Sequence, residues 1–403
     1  MIKKLLPSFL SLSFLASFFN ASAQYSCESN RFIEEVFTEV ALTSNVVYGS
    51  AVNISGSNQS LQLDVYQPAE DTMSARPLII FAHGGSFLFG NKTSADIVTM
   101  CNKYAKNGYV TSSISYRLGF EGFIPTENTA TETVYRATTD MRAAVRFFYK
   151  DALTNNNYRI DTNNIFVAGV SAGAFIALHL AYLDQESEIP EAVDPVAFGG
   201  IEGNSGNPGY SSNVKAIVNL CGAIGDTSWI EPNDTPCLSM HGTNDDVVPY
   251  GTDVINVLGI PLFEVDGSSS IALRQQNLGV DHQFITWTGA PHTPFISSTT
   301  YMDSVFMSVT PFLADQLGCE TILATNSDLN QDQVLVYPNP ANSWISISSP
   351  SEIEKVQLFS VSGKLIMSTE NTSQIDISTY EKGMYLITIL TKDKTIFKRL
   401  VIS

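Results

Sequence analysis

The chain has 403 residues, more than one hydrophobic core usually organises, so its length favours two domains. Hydrophobic residues make up 44% of the sequence, which is typical of globular proteins and too high for a disordered chain. The 22 basic residues against 40 acidic ones give a net charge of -18. A surface this acidic repels phosphate backbones, so we expect no nucleic-acid partner and no tight binding to anionic membranes.

The N-terminus has the pattern of a secretory signal peptide, predicted to cover residues 1–23. Lys3-Lys4 supplies positive charge, residues 5–19 are apolar, and Ala21-Ser22-Ala23 provides small residues for cleavage after Ala23. The alternative is a membrane anchor, but the apolar run is shorter than the ~20 residues that a spanning helix needs. No other segment is long and apolar enough to span a membrane, so we expect an exported chain with no stable membrane span.

The cysteines that remain after this cleavage are compatible with disulfides, because export exposes them to an oxidising environment. They are Cys27, Cys101, Cys221, Cys237 and Cys319. The residues before Cys27 do not form a lipobox, so lipid anchoring is not expected. Cys221 and Cys237 lie near the ends of neighbouring predicted strands and are the expected pair, although connectivity does not follow from sequence. No CxxC or His-rich spacing indicates zinc, and we expect no cofactor.

Segments with strand and helix patterns alternate from residue 61 onward, which is typical of a mostly parallel sheet covered by helices. The predicted strands are residues 61–66, 78–82, 109–116, 165–170, 216–220, 237–240 and 284–287. The predicted helices are residues 95–107, 137–152 and 172–183. Residues 184–212 break the pattern and form a long loop rich in Pro, Gly, Asn and Glu. This loop is either part of a substrate rim or lid, or a solvated excursion.

A polar, aperiodic stretch at residues 324–333 indicates a linker. After it the chain contains only short strands and turns, which predicts a small β-sandwich. We therefore divide the mature chain into a first domain at residues 24–320, a linker at 321–333 and a β-domain at 334–403.

The pentapeptide Gly169-Val170-Ser171-Ala172-Gly173 matches G-x-S-x-G and lies between a predicted strand and a predicted helix. A serine at such a turn sits in strained backbone, and the flanking glycines let the chain pass without a Cβ clash. The pattern alone arises often by chance. Its position, one strand-helix-strand unit after a His-Gly-Gly turn, predicts that Ser171 is a nucleophile.

His83-Gly84-Gly85 follows an apolar predicted strand, where an oxyanion loop is expected. The backbone N–H groups of Gly84 or Gly85, with that of Ala172, are the predicted donors to a developing oxyanion. We interpret His83 itself as structural. Phe87 follows this turn and is predicted to line an acyl or alcohol pocket, with core packing as the alternative.

The acid of a catalytic triad is expected after the nucleophile, at the end of a later strand. Asp245 lies just past the predicted strand at residues 237–240 and is the predicted acid. Asp246, the next residue, is the first alternative. Asp226, in the loop after an earlier strand, is the second.

The base is expected to be a histidine beyond Asp245. Where a G-x-S-x-G serine lies at a strand-to-helix turn, the triad residues follow in the chain order serine, acid, histidine. His292 follows the last predicted strand on a loop, whereas His282 precedes that strand and would lie at the wrong end of the sheet. We interpret His241 as part of a glycine turn and His179 as a packed helical residue. The predicted triad is therefore Ser171, His292 and Asp245.

Together these motifs resemble the α/β-hydrolase superfamily, particularly its carboxylesterase and feruloyl-esterase-like members, over residues 61–317. Further matching stretches are Leu63-Asp64-Val65-Tyr66, Ser115-Tyr116-Arg117-Leu118 and Ala143-Ala144-Val145-Arg146-Phe147. The resemblance implies an α/β fold, a mostly parallel sheet with helices on both faces, and hydrolysis of carboxylic esters. Ser86 departs from families with a third glycine in the oxyanion loop. The small elbow Val170-Ser171-Ala172 departs from the aromatic-Ser-Met form of cutinase-like polyester hydrolases.

The C-terminal domain resembles the type A sorting domain of the type IX secretion system. The matching stretches are Tyr337-Pro338-Asn339-Pro340, Ser362-Gly363-Lys364, Gly383-Met384-Tyr385-Leu386 and Lys398-Arg399-Leu400. The resemblance implies passage through the outer membrane by the type IX machinery, followed by release or surface attachment. A carbohydrate-binding or adhesive β-module is the alternative, although no aromatic platform is evident in these strands.

The sequence thus predicts a secreted or cell-surface serine esterase that acts on a small-molecule or polymer-linked ester through an acyl-enzyme. A polyester depolymerase or lipase and a serine peptidase use the same triad order and are alternatives. A catalytically inactive hydrolase fold that serves adhesion is an alternative from another class.

Overall fold

A computed structural model describes residues 30–122, 124–257, 259–319, 334–339, 341–360, 364–392 and 395–402. The predicted signal peptide at residues 1–23, Cys27 and the predicted linker at residues 321–333 lie outside the described residues.

The first part of the chain builds one large and one small β-sheet. Its strands are β1 (Val40–Val52), β2 (Asn58–Pro68), β3 (Arg76–Ala82), β4 (Val110–Ile114), β5 (Ile160–Val170), β6 (Ala216–Leu220), β7 (Ala223–Ile224), β8 (Cys237–Gly242), β9 (Thr252–Val257), β10 (Ile260–Gly267) and β11 (His282–Trp287). The large sheet has the order β1-β2-β4-β3-β5-β6-β8-β11. Strand β2 is antiparallel to both of its neighbours, and the other pairings are parallel. Strands β7, β10 and β9 form the small antiparallel sheet.

Helices cover both faces of the large sheet. They are α1 (Ala95–Lys106), α2 (Glu127–Leu153), α3 (Ala172–Tyr182), α4 (Pro195–Phe198), α5 (Ser268–Leu278) and α6 (Thr299–Gln316). Side chains of α2, α3 and α5 bury one face, and those of α1 and α6 bury the other. Along β3, Leu78 and Ile80 join the first layer while Ile79 and Phe81 join the second, as the two-residue period of a strand requires. These layers confirm the predicted α/β fold class.

Several elements differ from the sequence-based expectation. Helix α2 begins at Glu127, ten residues before the predicted start, because the side chain of Thr126 accepts a hydrogen bond from the Thr129 N–H and caps a polar first turn. Strand β1 was not predicted because it is an edge strand with mostly exposed side chains, so it lacks a buried apolar face. Strands β7, β9 and β10 and helices α5 and α6 were also not predicted.

The C-terminal part is a small β-sandwich, as predicted. Its strands are β12 (Leu335–Tyr337), β13 (Trp344–Ser348), β14 (Ile353–Ser360), β15 (Leu365–Glu370), β16 (Gln374–Asp376), β17 (Gly383–Thr391) and β18 (Thr395–Ile402). They form a three-stranded sheet, β12-β13-β16, and a four-stranded sheet, β15-β14-β17-β18. Alternate residues of facing strands, such as Ile345 and Ile347 with Val356 and Leu358, fill one core. Across the described residues, no helix combines the length and apolarity needed to cross a bilayer.

Candidate active site

Ser171 occupies a sharp turn between β5 and α3. Its φ of 53° and ψ of -117° lie in a sparsely populated region for a residue with a side chain. A Cβ on Gly169 would lie 2.0 Å from the carbonyl oxygen of Gly173, and one on Gly173 would lie 2.1 Å from that of Ala82. The turn therefore depends on glycine at both flanking positions, where β5, α3 and β3 approach each other closely.

The structure brings the three residues of the predicted triad together. His292 Nε2 lies 2.8 Å from Ser171 Oγ, and His292 Nδ1 lies 2.6 Å from Asp245 Oδ2. Asp245 follows the end of β8, and His292 follows the end of the adjacent parallel strand β11. Because parallel strands end at the same edge of the sheet, residues far apart in the chain meet beside the serine.

Asp245 is held as a buried carboxylate. Its Oδ1 accepts hydrogen bonds from the backbone N–H groups of Val247, at 2.9 Å, and Val248, at 2.8 Å. Burial alone would raise the pKa of Asp245, but the hydrogen bonds donated by His241 and His292 outweigh burial and hold the pKa well below its usual range. The carboxylate therefore stays ionised and fixes the proton of the facing His292 nitrogen on Nδ1.

His241 is a member of this cluster that sequence reasoning missed. It lies within β8 rather than in a glycine turn, and its buried Nε2 lies 3.0 Å from Asp245 Oδ2. Its Nδ1 lies 2.7 Å from Ser268 Oγ, which in turn accepts a hydrogen bond from Asn219 Nδ2 at 3.0 Å. Since an ionised carboxylate can only accept hydrogen bonds, His241 Nε2 carries the proton and Nδ1 accepts a hydrogen bond from the Ser268 hydroxyl. The short spacing from His241 to Asp245 was the only sequence signal for their contact. The contact with Ser268 had none, because α5, which carries Ser268, was not predicted.

Two of the three predicted oxyanion donors, Gly84 and Ala172, lie next to Ser171. A Cβ on Gly84 would lie 3.3 Å from Ser171 Cβ, so this residue is in close contact with the elbow. Gly85 has a φ of 116°, and a Cβ there would lie 2.3 Å from the carbonyl oxygen of Phe89. Ala172 is the first residue of α3, where backbone N–H groups have no partner within the helix. Gly84 and Ala172 thus adjoin the nucleophile, whereas Gly85 is fixed by its positive φ and its contact with Phe89.

His83 holds the loop that carries Gly84. Its Nδ1 lies 2.7 Å from the Gly84 carbonyl oxygen, and its ring stacks on Tyr116 with 4.3 Å between centroids. The Tyr116 hydroxyl donates to the His83 carbonyl at 2.7 Å. Burial lowers the pKa of His83 to about 4, so the imidazole is neutral at physiological pH.

The alternative triad residues lie elsewhere. His282 begins β11, and its Nδ1 lies 2.9 Å from the Val280 carbonyl oxygen, at the opposite end of the strand from His292. Asp226 accepts a hydrogen bond from the Ser228 N–H in a single turn of 3-10 helix. Asp246 is exposed, next to the buried Asp245 side chain.

The expected disulfide between Cys221 and Cys237 is wrong, because both residues are free and buried. Cys237 is in register with Ile217 on β6, while Cys221 lies beyond the end of that strand and bonds to Met240. At ~3.3 Å per strand residue this offset separates the two cysteines by roughly 10 Å or more, beyond the reach of a disulfide. Cys319 is disulfide-bonded.

One cluster among the described residues has the spacing of metal ligands. Ligand atoms of Cys221, Asp245 and His292 lie within 4.8 Å of one another. The Asp245 and His292 atoms already share a hydrogen bond. Burial raises the pKa of the Cys221 thiol to about 12, so the thiol stays protonated and is a poor ligand. The cluster is suited to proton transfer rather than to ion binding.

A narrow apolar cavity of about 40 Å³ opens beside Ser171 and Ala172. Phe87 lines it and packs edge-on against Tyr116 and Phe175, so this side chain both shapes the cavity and belongs to the core. The remaining walls come from α2 and from the β9–β10 hairpin, which supplies Leu262 and Phe263 among other residues. This hairpin was not predicted from the sequence.

The stretch at residues 184–212 is tied to α2. Arg142 donates to Ser212 Oγ at 3.3 Å, and Arg146 donates to the Gly206 carbonyl oxygen at 2.9 Å. Pro190, within this stretch, lines a second cavity that also borders α3. The stretch therefore packs against α2 and forms part of the wall of this second cavity.

Comparison with known families agrees with both parts of this architecture. Residues 63–227 match the family described as BD-FAE, and residues 335–403 match the secretion system C-terminal sorting domain. This chain has the α/β-hydrolase fold, followed by a domain that matches a secretion sorting domain. The sorting domain indicates export by type IX secretion, to the cell surface or outside the cell.

Proteins similar to the first part of this chain include several that are named esterases. Gut esterase 1 of Caenorhabditis elegans is 29% identical over 114 residues, which are 28% of this chain and 19% of that protein. Carboxylesterase 3B of Mus musculus is 32% identical over 125 residues, which are 31% of this chain and 21% of that protein. The matched segments thus span only about a fifth of the length of these relatives, 19% and 21%.

A solved structure also resembles the chain. The propionate-bound esterase Est2 of Thermogutta terrifontis has a TM-score of 0.50 and 18% sequence identity, covering 68% of this chain and 94% of that one. This likeness concerns the fold.

Proposed function

We propose that this chain is an exported serine hydrolase that cleaves carboxylic esters through an acyl-enzyme on Ser171. The continuous hydrogen-bonded line from Ser171 Oγ through His292 to Asp245 carries the proposal. This arrangement makes a serine hydroxyl nucleophilic at neutral pH, because the histidine accepts the proton as the oxygen attacks. The similarity to named esterases in two eukaryotes supports an ester rather than another acyl compound as substrate.

In the first step, Ser171 Oγ attacks the ester carbonyl carbon while His292 Nε2 takes the hydroxyl proton. The resulting imidazolium is stabilised by the Asp245 carboxylate, whose low pKa keeps it ionised. When the tetrahedral intermediate collapses, the bond from carbon to the alcohol oxygen breaks. His292 then returns the proton to the departing alcohol, and the acyl group stays on Ser171.

The negative charge on the carbonyl oxygen needs donors fixed in advance. The backbone N–H groups of Ala172 and of Gly84 or Gly85 fill this role in the proposal, and their positions around the elbow are compatible with it. Loss of one such donor in other hydrolases costs about 3–4 kcal/mol of transition-state stabilisation.

In the second step, water attacks the acyl-enzyme. His292 takes a proton from the water and delivers it to Ser171 Oγ as the acyl–oxygen bond breaks, which releases the carboxylic acid and restores the free enzyme. This chemistry uses groups of the chain itself together with water.

The substrate class in the proposal is a small-molecule or polymer-linked ester encountered outside the cell. Export begins with the signal peptide predicted at residues 1–23 and continues through the type IX machinery, which would recognise the sorting domain at residues 335–403. The acidic surface, with a net charge of -18, favours neutral substrates over anionic ones.

A fluorophosphonate probe tests the nucleophile independently of the substrate. We expect the wild type to be labelled and Ser171→Ala to remain unlabelled, with 4-nitrophenyl acetate turnover reduced about 10³-fold or more. Ser55→Ala, which changes an exposed serine that contacts Asn53, is the matched control and should behave as the wild type. Labelling or turnover retained in Ser171→Ala would contradict the proposal.

The same probe, together with three further substrates, separates the alternatives. An inactive adhesion protein would leave even the wild type unlabelled. Preferential release of products from polyester film or triglyceride emulsion would indicate a depolymerase or lipase, and cleavage of peptide amides at rates comparable to esters would indicate a peptidase.

A further inference from the structure

Two neighbouring cavities lie along one side of helix α3. The narrow cavity beside Ser171 and a second chamber of about 320 Å³ share three lining residues, Val134, Phe175 and Phe263. The second chamber continues past these residues to Tyr135 and Trp229. The nucleophile therefore lies beside the first of two mostly apolar cavities, which Phe175 and Phe263 separate and which together we call the groove.

Helix α3 forms the floor of this groove. Ser171, Phe175 and His179 follow one another at intervals of four residues, so they lie along one side of the helix. Eight residues of helix, at a rise of 1.5 Å each, place His179 about 12 Å from Ser171 along the axis, the length of an extended acyl group of roughly eight to ten non-hydrogen atoms.

The position of His292 indicates which part of an ester enters the groove. His292 must protonate the departing alcohol, so the alcohol lies on the side of Ser171 that faces this imidazole. His292 does not line the narrow cavity, whereas Ala172, a predicted oxyanion donor, does. The groove therefore receives the acyl group.

His179 places a buried hydrogen-bond acceptor at the far end of the groove. It is 7% exposed, and its Nδ1 lies 2.8 Å from the Phe175 carbonyl oxygen, so the Nδ1 proton is donated there. Among the described residues, Nε2 has no hydrogen-bond partner. Gly225 and Trp229, which lie against that side of the ring, both line the second chamber.

The protonation state of His179 makes Nε2 an acceptor. Burial lowers the pKa of His179 to about 4, which keeps the ring neutral at physiological pH. The same chamber is bordered by Glu127 and Glu264, whose carboxylates disfavour an anionic group. A neutral donor, such as a hydroxyl, is the group that complements this end of the groove.

We propose, on the basis of the ester hydrolysis inferred above, that the natural substrates carry an elongated apolar acyl group ending in a hydroxyl that donates a hydrogen bond to His179 Nε2. The acyl chain passes between Phe175 and Phe263, and the hydroxyl reaches the chamber beside Trp229. His179 acts here as a specificity-determining residue, remote from the reacting atoms.

The length of the groove is tested with 4-nitrophenyl acetate and 4-nitrophenyl octanoate. We expect the wild-type kcat/KM to be at least about tenfold higher for the octanoate, because the longer chain buries more apolar surface. Thr131→Trp places a large ring in the second chamber, which Thr131 lines without lining the narrow cavity. This variant should lower the ratio of kcat/KM for the octanoate to that for the acetate by about tenfold.

The acceptor is tested with methyl octanoate and methyl 8-hydroxyoctanoate, followed by titration of the released acid. The wild type should favour the hydroxylated ester by about threefold to tenfold, the effect of one neutral hydrogen bond. His179→Leu should bring the ratio of the two kcat/KM values to about one or below. His179→Gln, which keeps an acceptor, should retain part of the preference.

Each outcome bears on one of the two proposals. Normal acetate turnover without a preference for octanoate, or an equal ratio for the two methyl esters in wild type and His179→Leu, would overturn the acyl-groove inference alone. If a long chain raises kcat/KM when it is part of the alcohol, as in octyl acetate, the groove holds the alcohol. That result would also overturn the acyl-groove inference. If no ester is turned over and Ser171 is not labelled by fluorophosphonate, both proposals fail. Acetate turnover within each variant shows that it has folded.

Discussion

His241 Nε2 lies 3.0 Å from Asp245 Oδ2, the same carboxylate oxygen that contacts His292 Nδ1 at 2.6 Å. Both donors approach one oxygen, while Oδ1 accepts from the backbone after β8. Asp245 is thus fixed from three directions and cannot rotate without leaving a buried donor unsatisfied. The orientation of His292 toward Ser171 follows from this fixed carboxylate, so His241 is a positioning residue for the proposed triad.

Replacement of His241 should lower catalytic efficiency without abolishing it. His241→Leu removes one donor to Asp245 and the ring nitrogen that accepts from the Ser268 hydroxyl. Because an unsatisfied buried acceptor costs about 1–3 kcal/mol, we expect kcat to fall about tenfold to a hundredfold with a smaller change in KM. His282→Leu, at the other end of the adjacent strand, is the control and should retain wild-type kinetics. Equal kcat values for His241→Leu and the wild type would contradict the positioning role.

Buried neutral histidines should make the chain sensitive to mild acid. The pKa of both His83 and His179 is lowered by burial from 6.5 to about 4. Between these values the unfolded imidazoles bind protons that the folded ones do not, so stability falls as the pH falls from about 6.5 to 4. The loss approaches roughly 3 kcal/mol for each histidine, since one pKa unit corresponds to about 1.36 kcal/mol.

This acid sensitivity is measured by urea unfolding between pH 7 and pH 4. His179→Leu removes one of the two groups, so its free energy of unfolding should depend less steeply on pH than that of the wild type. The remaining slope would include the contribution of His83. Identical slopes for the two proteins would show that His179 takes up its proton in the folded state.

Glycine at the elbow should be indispensable for folding. A Cβ on Gly173 would meet the Ala82 carbonyl oxygen at 2.1 Å, so Gly173→Ala must push α3 away from β3. We expect destabilisation of about 3 kcal/mol or more, at the upper end of overpacking effects. Gly251→Ala is the matched control, because its Cβ would lie 3.4 Å from Ser269 Oγ, an ordinary contact. Thermal unfolding of both variants checks the difference.

The buried thiols should be unreactive in the folded chain and free after unfolding. Burial raises the pKa of Cys237 to about 11 and that of Cys221 to about 12, so neither forms thiolate near neutral pH. Iodoacetamide should leave both unmodified in the native protein and alkylate both in denaturant without a reducing agent. Mass spectrometry of the peptides distinguishes this result from a Cys221–Cys237 crosslink, which would contradict the structure.

Local sequence patterns were enough to predict the proposed nucleophile and the strands around it. The stretch from Leu78 to Ala82 is apolar because both faces of that strand are covered, and G-x-S-x-G marks the turn because only glycine tolerates the contacts at Gly169 and Gly173. The position of His292 after the last strand also followed from sequence, since the carboxyl ends of parallel strands share one edge. The sandwich at the C-terminus was predicted for a similar reason, from short strands separated by turns.

Contacts between side chains of distant elements were decided by the tertiary structure alone. His241 meets Ser268 because β8 and α5 pack together, and no periodicity links these residues in the chain. The failure of the Cys221–Cys237 pairing has the same origin, because neighbouring strands can be adjacent while their cysteines are out of register. The groove beside α3 depends on Phe263, from a hairpin without a clear apolar face. A local pattern records which side of an element is buried, whereas only packing determines what that side touches.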